Sequence, residues 1–443
     1  MADFRVPPIP KIRIAFIGVG SRGSAAVHRV PKIPGCEATV LCDVREVAVN
    51  ANQKWLVKNG YPKAKLYFGK KDSWKAACDD PDVNVVYIAT PAWLHTPISI
   101  YAMNAGKHVF TEVPGSWRID DLWNYVETSE KTRRHCMMLE NVIYRDTCLL
   151  VDNLCHQGVL GTLTHADGAY IHNLTEMHLG DTYRNAAKNP ATLKSKGYRR
   201  GNTYPTHPLG PICRYFDINH GDRLEKLVSL SCGISSWGEY IDAKFGPDSW
   251  QARMPIDKGD MNTSIIRTAR GRTIMLQIDM STPRPNTRIN LVQGSKGCFK
   301  DFPPRLSLCD KYPAHGGKEW LDEKAFAAIR AKYEHPLYRT LGAFAAKVGG
   351  HGGIDFLMDL RWAYCLQNGL PLDMGVYDLA AWSSVVECSR RSDEGGGVPV
   401  ELPDFTRGAW KASKPRAIGN VDVVKMGLDI GRDVKKDNAQ LEV

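Results

Sequence analysis

Hydrophobic residues in the first third of the chain occur in short β-branched runs, separated by longer segments with helical spacing. The first run, Ile12–Ile17 (IRIAFI), is typical of a parallel strand buried on both faces. The later strand-like runs are Ala38–Cys42, Leu66–Phe68, Asn84–Ala89, His108–Thr111 and His135–Leu139, with helix-like segments up to Lys58, near Pro97–Ala105 and from Asp120. This alternation predicts an α/β domain over residues 1–141 with a doubly wound parallel sheet of the Rossmann type.

After residue 141 the pattern changes to a period of two. The alternating segments are Thr162–Tyr170, Lys226–Ser231, Asn262–Thr268, Arg272–Met280 and Thr287–Val292, and helical spacing occurs in Arg145–Gln157, Glu323–Ala346, Asp355–Asn368 and Tyr377–Arg391. These segments predict an α+β domain over residues 142–415 with a large open, mostly antiparallel sheet, one side of which faces solvent or substrate. Residues 416–443 are charged and weakly patterned, so we expect a tail that wraps over the surface or over an oligomer neighbour.

Composition narrows the class of protein. The 443 residues carry a formal charge of +10, but the basic residues are dispersed, so we expect no nucleic-acid partner. No stretch approaches the roughly 20 apolar residues of a membrane span. We expect a soluble protein, cytoplasmic as given, or periplasmic or exported if a leader has been trimmed. The twelve cysteines form no C-x-x-C pair, and H-E-x-x-H and Asp-rich loops are absent, which predicts reduced thiols and no metal site.

A glycine-rich turn follows the first strand. Gly18-Val19-Gly20-Ser21-Arg22-Gly23 matches G-x-G-x-x-G, opens a helical pattern, and is followed by Asp43 at the end of the next strand. Such glycines let the backbone approach a pyrophosphate, the helix N-terminus attracts its charge, and Asp43 can accept hydrogen bonds from a ribose. The motif therefore predicts a dinucleotide site. Asp43 favours NAD over NADP because it would repel a 2′-phosphate, although the neighbouring Arg45 leaves NADP open.

Two further strand ends lie at the carboxyl edge, where α/β sheets bind ligands. They are Thr90-Pro91-Ala92-Trp93-Leu94-His95 and Thr111-Glu112-Val113-Pro114. This arrangement resembles the Gfo/Idh/MocA family of NAD(P)-dependent sugar and inositol oxidoreductases, in which the second motif usually contains Glu-Lys-Pro and the lysine assists proton transfer. The resemblance implies cofactor contacts at Thr90, Trp93, Leu94, His95, Glu112 and Val113. Because valine cannot exchange a proton, the family's usual alcohol dehydrogenation is disfavoured here.

Motifs in the middle of the chain sharpen this resemblance. In order, they are Met138-Leu139-Glu140-Asn141-Val142, Gly168-Ala169-Tyr170, Tyr204-Pro205-Thr206-His207, Leu227-Val228-Ser229, Pro283-Arg284-Pro285 with Arg288-Ile289-Asn290-Leu291-Val292-Gln293-Gly294, and Gly350-His351-Gly352-Gly353. Together they are similar to glycoside hydrolase family 109, the NAD-dependent α-N-acetylgalactosaminidases built on the Gfo/Idh/MocA scaffold. The similarity extends from about residue 12 to residue 410.

The resemblance implies glycoside cleavage without net redox. NAD takes a hydride from sugar C3, the C2 proton then becomes acidic, the aglycone leaves C1 by elimination, water adds, and the hydride returns. His207 is the candidate base for the 3-hydroxyl, since a histidine accepts a proton near neutral pH. Tyr170 is the candidate for the C2 proton and needs its phenolate stabilised by the cofactor's charge or by an arginine. The implied substrate contacts are Glu140, Tyr204, Pro205, Thr206 and Asn286, and Asn141 is an implied cofactor contact.

Some positions depart from the family pattern. Asn286 stands where the family typically has a tyrosine, so the sugar can differ from α-linked N-acetylgalactosamine. The family's substrate-binding arginine has three candidate counterparts: Arg184, Lys194 and Arg199. We prefer to interpret His351–Asp355 as a glycine-permitted turn before a helix, with a pocket wall as the alternative. His172 and His178 have no assigned role.

Two other functions stay open. One is an NAD-dependent sugar dehydrogenase, against which Val113 argues. The other is a non-catalytic sugar- or nucleotide-sensing protein, against which the presence of both Tyr170 and His207 argues. We expect a carbohydrate (glycoside) substrate and a homo-oligomer.

Overall fold

Two β-sheets organise the chain in the computed structural model, which describes residues 3–179, 200–254, 256–309 and 319–431. The strands of the N-terminal sheet are β1 (Ile12–Ile17), β2 (Cys36–Asp43), β3 (Lys65–Phe68), β4 (Val85–Ile88), β5 (His108–Thr111) and β6 (Cys136–Met138). All six are parallel, in the order β3-β2-β1-β4-β5-β6. The predicted Rossmann sheet is confirmed, and its ligand crevice opens beside β1 and β4, where the strand order reverses.

Helices connect these parallel strands, because a parallel pair needs a crossover. They are α1 (Ser21–Val27), α2 (Glu46–Lys58), α3 (Ser73–Asp79), α4 (His95–Asn104) and α5 (Ile119–Thr132). Strands β4 and β5 are buried at every position, so the centre of the sheet is covered on both faces. This burial explains why these strands are continuous apolar runs rather than alternating ones.

In the described part of the chain, the second sheet has eight strands and is the predicted large, mostly antiparallel sheet. They are β7 (Leu163–Ile171), β8 (Leu224–Ser231), β9 (Met261–Thr268), β10 (Thr273–Asp279), β11 (Leu291–Gly294), β12 (Gly297–Lys300), β13 (Arg305–Leu308) and β14 (Val400–Glu401). Their order is β13-β12-β11-β7-β10-β9-β8-β14, and only the β7–β10 pair is parallel. Side chains along β9 alternate between buried and exposed, as expected for a sheet with one covered face.

The helices of the C-terminal part include one pair that the hydrophobic pattern did not separate. The helices are α6 (Asp146–His156), α7 (Thr175–Leu179), α8 (Thr206–Tyr215), α9 (Ser236–Lys244), α10 (Glu323–Tyr333), α11 (Pro336–Val348), α12 (Ile354–Asn368) and α13 (Val376–Glu394). The helical spacing predicted over Glu323–Ala346 is confirmed, and the structure divides this stretch into the two helices α10 and α11. Pro336 has no N–H to donate and therefore starts a new helix, whose N-cap is His335.

The strand predicted over Thr287–Val292 is also misplaced. Ile289 and Asn290 have φ angles of 61° and 46°, in the left-handed region, and the ladder of β11 starts only at Leu291. Left-handed residues cannot continue an extended strand. The segment before β11 is therefore a loop, attached to β7 by an isolated bridge between Thr287 and Ile171.

Buried apolar side chains from both sheets form one continuous cluster. The proposed boundary between residues 141 and 142 lies within the short 3-10 helix Asn141–Tyr144, and the two-domain division stays a prediction. Residues 416–431 pack on their own chain, where Arg361 Nη1 donates to the Asn420 carbonyl at 2.6 Å and the His335 ring bonds the Ile418 carbonyl. The rest of the predicted tail lies outside the described residues.

In the described ranges, no helix is long and apolar enough to cross a membrane. Within those same ranges, no cluster of three or more His, Cys, Asp or Glu side chains has an arrangement that could hold a metal ion. The expected homo-oligomer stays a prediction.

Candidate active site

The glycine-rich turn between β1 and α1 has the shape that a dinucleotide needs. Gly18 has a φ of 85°, and a Cβ there would lie 2.8 Å from the backbone of Ala89. A Cβ on Gly23 would lie 1.9 Å from the Gly18 carbonyl oxygen. Only glycine permits this close approach of α1 to the strands. Beside the turn, the Thr90 hydroxyl oxygen is buried and has no hydrogen-bond partner among the described residues, so the cradle fits NAD and offers it a polar contact.

Asp43 lies at the end of β2, where the sequence predicted a ribose contact. Its carboxylate accepts from the Arg45 backbone N–H at 3.0 Å and from Arg45 Nε at 3.2 Å. The guanidinium of Arg45 also reaches over Gly20, since a Cβ there would lie 2.9 Å from Nη2. A ribose at Asp43 would therefore meet a carboxylate that is already paired with an arginine.

Arg22 connects the glycine-rich turn to the C-terminal part of the chain. Its Nε donates to Glu112 Oε1 at 2.7 Å, and its Nη1 donates to Asp355 Oδ2 at 2.8 Å. Asn141 Nδ2 donates to the other oxygen of Asp355 at 2.5 Å. Burial would raise the pKa of Asp355, but His351 and Arg22 outweigh it and hold this pKa well below its usual value. Asp355 is thus a buried anion that fixes Arg22 beside the cofactor crevice.

The segment from His351 to Asp355 is a glycine-rich turn that leads into a helix, which is the interpretation preferred from the sequence. Gly352 and Gly353 have positive φ angles, α12 begins at Ile354, and Asp355 lies in its first turn. The ion pair with Arg22 adds a role that the sequence did not indicate, because the two residues are 333 positions apart.

A cavity of about 370 Å³ lies between the carboxyl edge of the Rossmann sheet and the second sheet. From the first it is lined by Arg22, Ala89–Trp93, His95, Glu112–Pro114 and Trp117, and from the second by Tyr170, Leu174, Met177, His178, Thr203, Tyr204 and Met280. Thr90, Trp93, His95, Glu112 and Val113, predicted from two separate motifs, therefore share one wall. Leu94 does not line the cavity and packs against the apolar core.

His95 is held tightly in that wall. Its Nδ1 lies 2.9 Å from the Pro114 carbonyl oxygen, and its Nε2 lies 2.9 Å from the Thr90 carbonyl oxygen. The ring thereby joins the segments that follow β4 and β5. Burial lowers the pKa of His95, against the opposing effect of the two carbonyl contacts.

Close packing of α8 on β7 brings the two predicted bases together. A Cβ on Gly168 of β7 would lie 2.9 Å from Pro208 and Ile212, so glycine allows the helix to approach. His207 at the start of α8 then has its ring 5.8 Å from that of Tyr170, at an interplanar angle of 29°. Tyr204 meets both rings edge-on, at 5.0 Å from each.

Glu140 is the acidic partner of His207. His207 Nδ1 lies 2.6 Å from Glu140 Oε1, which also accepts from the Val142 backbone N–H at 3.1 Å. Glu140 is fully buried, and its Oε2 atom has no hydrogen-bond partner among the residues that the structure describes. Gly210 of α8 leaves room for the Glu140 side chain, since a Cβ there would lie 2.9 Å from its Cγ. Because a carboxylate only accepts, Nδ1 of His207 carries the proton in this pair.

The other residues predicted around His207 are buried. Pro205 precedes the first residue of α8, and Thr206 begins that helix. The Thr206 hydroxyl has no hydrogen-bond partner within the described part of the chain.

Tyr170 is flanked by a cation that the sequence left without a role. The guanidinium carbon of Arg288 lies 4.2 Å from the centre of the Tyr170 ring, and the tyrosine hydroxyl lies 3.4 Å from His172 Nδ1. Burial raises the pKa of Tyr170; the positive charge of Arg288 acts in the opposite direction, and the negative charge of Glu140 raises the pKa further. Arg288 belongs to a motif visible in the sequence, but nothing in its spacing showed that it would face Tyr170.

Asn286 lies in the same loop but not on the cavity wall. It is exposed, lines a separate surface cavity, and accepts from Arg288 Nη1 at 2.8 Å. The structure therefore connects Asn286 to Tyr170 through Arg288. The three candidates for the family's substrate-binding arginine, Arg184, Lys194 and Arg199, lie outside the described residues.

This fold and this site define a class: proteins with an NAD-binding Rossmann domain and a large second sheet that closes the cofactor crevice. The family model described as the oxidoreductase family, NAD-binding Rossmann fold, matches residues 12–140. The model described as the C-terminal domain of glycosyl hydrolase 109 matches residues 144–412. The chain belongs to glycoside hydrolase family 109.

Its relatives include a protein of Bacteroides fragilis named alpha-N-acetylgalactosaminidase, which is 43% identical over 406 residues, 91% of this chain and 94% of the relative. A glycosyl hydrolase family 109 protein of Phocaeicola vulgatus is 42% identical over 405 residues, 91% of this chain and 97% of the relative. Among solved structures, levoglucosan dehydrogenase in complex with NADH and levoglucosan has a TM-score of 0.65 at 16% identity, covering 89% of this chain and 100% of that chain. Apo scyllo-inositol dehydrogenase from Lactobacillus casei has a TM-score of 0.60 at 14% identity, covering 89% of this chain and 99% of that chain, and both structures are similar in fold.

Proposed function

We propose that this protein is a glycosidase. It cleaves the glycosidic bond by transient oxidation of the sugar at C3, elimination across C1 and C2, addition of water and re-reduction. The observation that carries the proposal is the stacked pair of Tyr170, which lines the cavity, and His207, which is backed by Glu140. The substrate to test first is an α-N-acetylgalactosaminide, because a relative with that activity in its name is 43% identical. Glycosides of other sugars are tested as well, because Asn286 stands where the family typically has a tyrosine.

Residues of the glycine-rich turn, with Asp43 and Thr90, would hold the dinucleotide. When bound, NAD would supply reversible hydride acceptance at sugar C3. His207 takes the proton of the 3-hydroxyl on Nε2, because its Nδ1 already donates to Glu140. The buried carboxylate keeps the ring in this tautomer and stabilises the imidazolium that forms.

Tyr170 then removes the proton from C2, which a neighbouring ketone has made acidic. A neutral phenol is a weak base, so the tyrosine must reach its phenolate form. Arg288 against the ring face favours that form, whereas burial and Glu140 oppose it. We infer that ionisation of Tyr170 depends on the positive charge of Arg288. If another base acts here, His172 at 3.4 Å and a water held by Glu140 are the next candidates.

The valine at position 113 supports a reaction without net oxidation of the sugar. It lines the cavity at the position where the Gfo/Idh/MocA pattern has a lysine, and its aliphatic side chain cannot exchange a proton. A sugar dehydrogenase on this site would lack that proton shuttle.

The decisive experiment combines product analysis with the redox state of the cofactor. Aryl α- and β-glycosides of several sugars are incubated with the NAD-loaded enzyme in deuterated water, while the ultraviolet absorbance of reduced dinucleotide is followed. We expect release of sugar without stoichiometric reduced dinucleotide, and deuterium at C2 of the product. Accumulation of reduced dinucleotide in proportion to oxidised sugar would identify a dehydrogenase. A product whose C2 keeps its original hydrogen would contradict elimination.

A further inference from the structure

A buried lysine lies behind the cavity wall and takes no part in the mechanism above. Lys258, in the segment that precedes β9, is 2% exposed. Its Nζ donates to Thr203 Oγ1 at 3.3 Å, which is its one hydrogen bond to the described residues. The charge of Asp279, at the end of β10, acts on the ammonium. A buried cation with so few partners is costly, so its interaction with Thr203 calls for a functional explanation.

Thr203 itself faces the cavity. It is one of the lining residues, and the apolar lining residues on the second sheet's side of the same cavity include Leu174, Met177 and Met280. An ammonium group has donors only, so the Thr203 oxygen must accept in this pair. The hydroxyl hydrogen of Thr203 is then directed elsewhere, and no acceptor for it exists among the described residues. The lysine thus converts a hydroxyl that could donate or accept into a polarised donor.

We infer that Thr203, oriented by Lys258, binds the carbonyl oxygen of an acylamino group on the sugar. This inference rests on the proposed glycosidase function and names a specificity determinant of the same cavity. A carbonyl oxygen is a pure acceptor and matches a site that can only donate, whereas a sugar hydroxyl would satisfy either kind of partner. The side chains of Leu174, Met177 and Met280 provide an apolar surface for the acyl methyl group. Thr203 would be a substrate contact, and Lys258 a positioning residue.

The protonation of Lys258 gives the inference a pH signature. Burial lowers the pKa of Lys258 to about 8, against the opposing effect of Asp279. Below that pH the ammonium holds Thr203 as a donor to the substrate. Above it the neutral amine can accept the threonine hydrogen itself, so recognition of a carbonyl should weaken. Other titratable groups face the same cavity, namely Arg22, His95, Glu112, Tyr170, His178 and Tyr204. Their effects cancel when two sugars that differ only in the acylamino group are compared.

Substitution of Thr203 tests the contact. Affinities of the NAD-loaded enzyme for N-acetylgalactosamine and galactose are measured by calorimetry, and kcat/KM is measured for the corresponding aryl α-glycosides. We expect Thr203→Val to reduce the preference for the acetamido sugar by about 10- to 100-fold, the effect of losing a hydrogen bond from a polarised donor. Thr203→Ser should retain it. A preference that stays within about twofold of the parent in Thr203→Val overturns the inference, as does a parent enzyme that does not prefer the acetamido sugar.

Substitution of Lys258 tests the positioning role. In the parent, the preference for the acetamido sugar should fall as the pH rises above about 8; in Lys258→Met it should be lower and independent of pH. The double variant Lys258→Met/Thr203→Val removes both polar partners together, so that no buried group is left unpaired, and it should match Thr203→Val in preference. If the pH dependence persists without Lys258, the lysine does not position Thr203. If the parent cleaves no glycoside, the proposed function fails, whereas the binding comparison still decides the inference.

Discussion

Replacement of Glu140 by glutamine isolates the contribution of one buried charge to the oxidation step. Glutamine keeps the shape of the side chain, and its carbonyl oxygen can still accept from His207 Nδ1, which lies 2.6 Å from Oε1 in the parent. What disappears is the negative charge that stabilises the imidazolium after His207 has taken the 3-hydroxyl proton. The variant therefore tests electrostatic support rather than ring orientation.

The expected magnitude follows from the geometry. For charge centres roughly 4 Å apart at an effective dielectric constant of about 20, the interaction is about 4 kcal/mol. A loss of that size in the transition state would slow the step by about 10³-fold, and partial proton transfer reduces this to about 10²- to 10³-fold. The new amide NH₂ would take the place of Oε2, which already lacks a partner among the described residues, whereas the charge-assisted hydrogen bond to His207 is weakened, so a loss of stability of about 1–3 kcal/mol is expected as well.

Rapid mixing of the NAD-loaded enzyme with a glycoside, followed by dinucleotide absorbance, measures the oxidation step directly. The matched control is Glu387→Gln. That carboxylate accepts from the Ile119 N–H at 2.6 Å and pairs with Arg391, and it does not line the cavity. The control should change stability without slowing oxidation. If Glu140→Gln oxidises its substrate at the parental rate, the histidine does not rely on this carboxylate, and the assignment of His207 as the base loses its structural support.

Three further outcomes are expected. Arg288→Met should slow deuterium exchange at C2 by about tenfold and move its pH dependence to higher pH, because the cation that favours the Tyr170 phenolate is lost. Mass spectrometry at several pH values measures the exchange, and an unchanged pH profile would contradict the role of Arg288. Asn286 lies off the cavity wall but is connected to Tyr170 through Arg288, and Asn286→Tyr should raise kcat/KM for an N-acetylgalactosaminide relative to the corresponding galactoside by about tenfold. An unchanged ratio would show that this position does not select the sugar. Burial would raise the pKa of Asp373, but Arg361 holds this pKa at about 2. The ion pair should therefore contribute about 2 kcal/mol to the free energy of unfolding at neutral pH, fully present above about pH 4 and lost as the pH falls toward 2. Urea unfolding of Asp373→Asn across this range should lack that acid-dependent loss.

Much of the fold could be predicted because its signals are local. Continuous apolar runs predicted the strands of the Rossmann sheet, and alternation predicted most strands of the second sheet. The differences arose where backbone conformation or a single residue overrode the pattern. Ile289 and Asn290 adopt left-handed conformations that the apolar alternation of their segment concealed. Pro336 divides a continuous helical pattern, a boundary that proline chemistry alone could have indicated.

By itself, the sequence determined the glycine-rich turn, Asp43 at the following strand end, and the ordered motifs containing Tyr170 and His207, because each depends on residues close together in the chain. The tertiary structure decided which side chains from distant segments meet. It placed Asp355 on Arg22, Arg288 on the Tyr170 ring, and Lys258 behind Thr203. Periodicity reports how a segment is buried, not which distant charge it will face. The electrostatic surroundings of the proposed bases therefore emerged only from the packing of α8 and the Arg288 loop against β7.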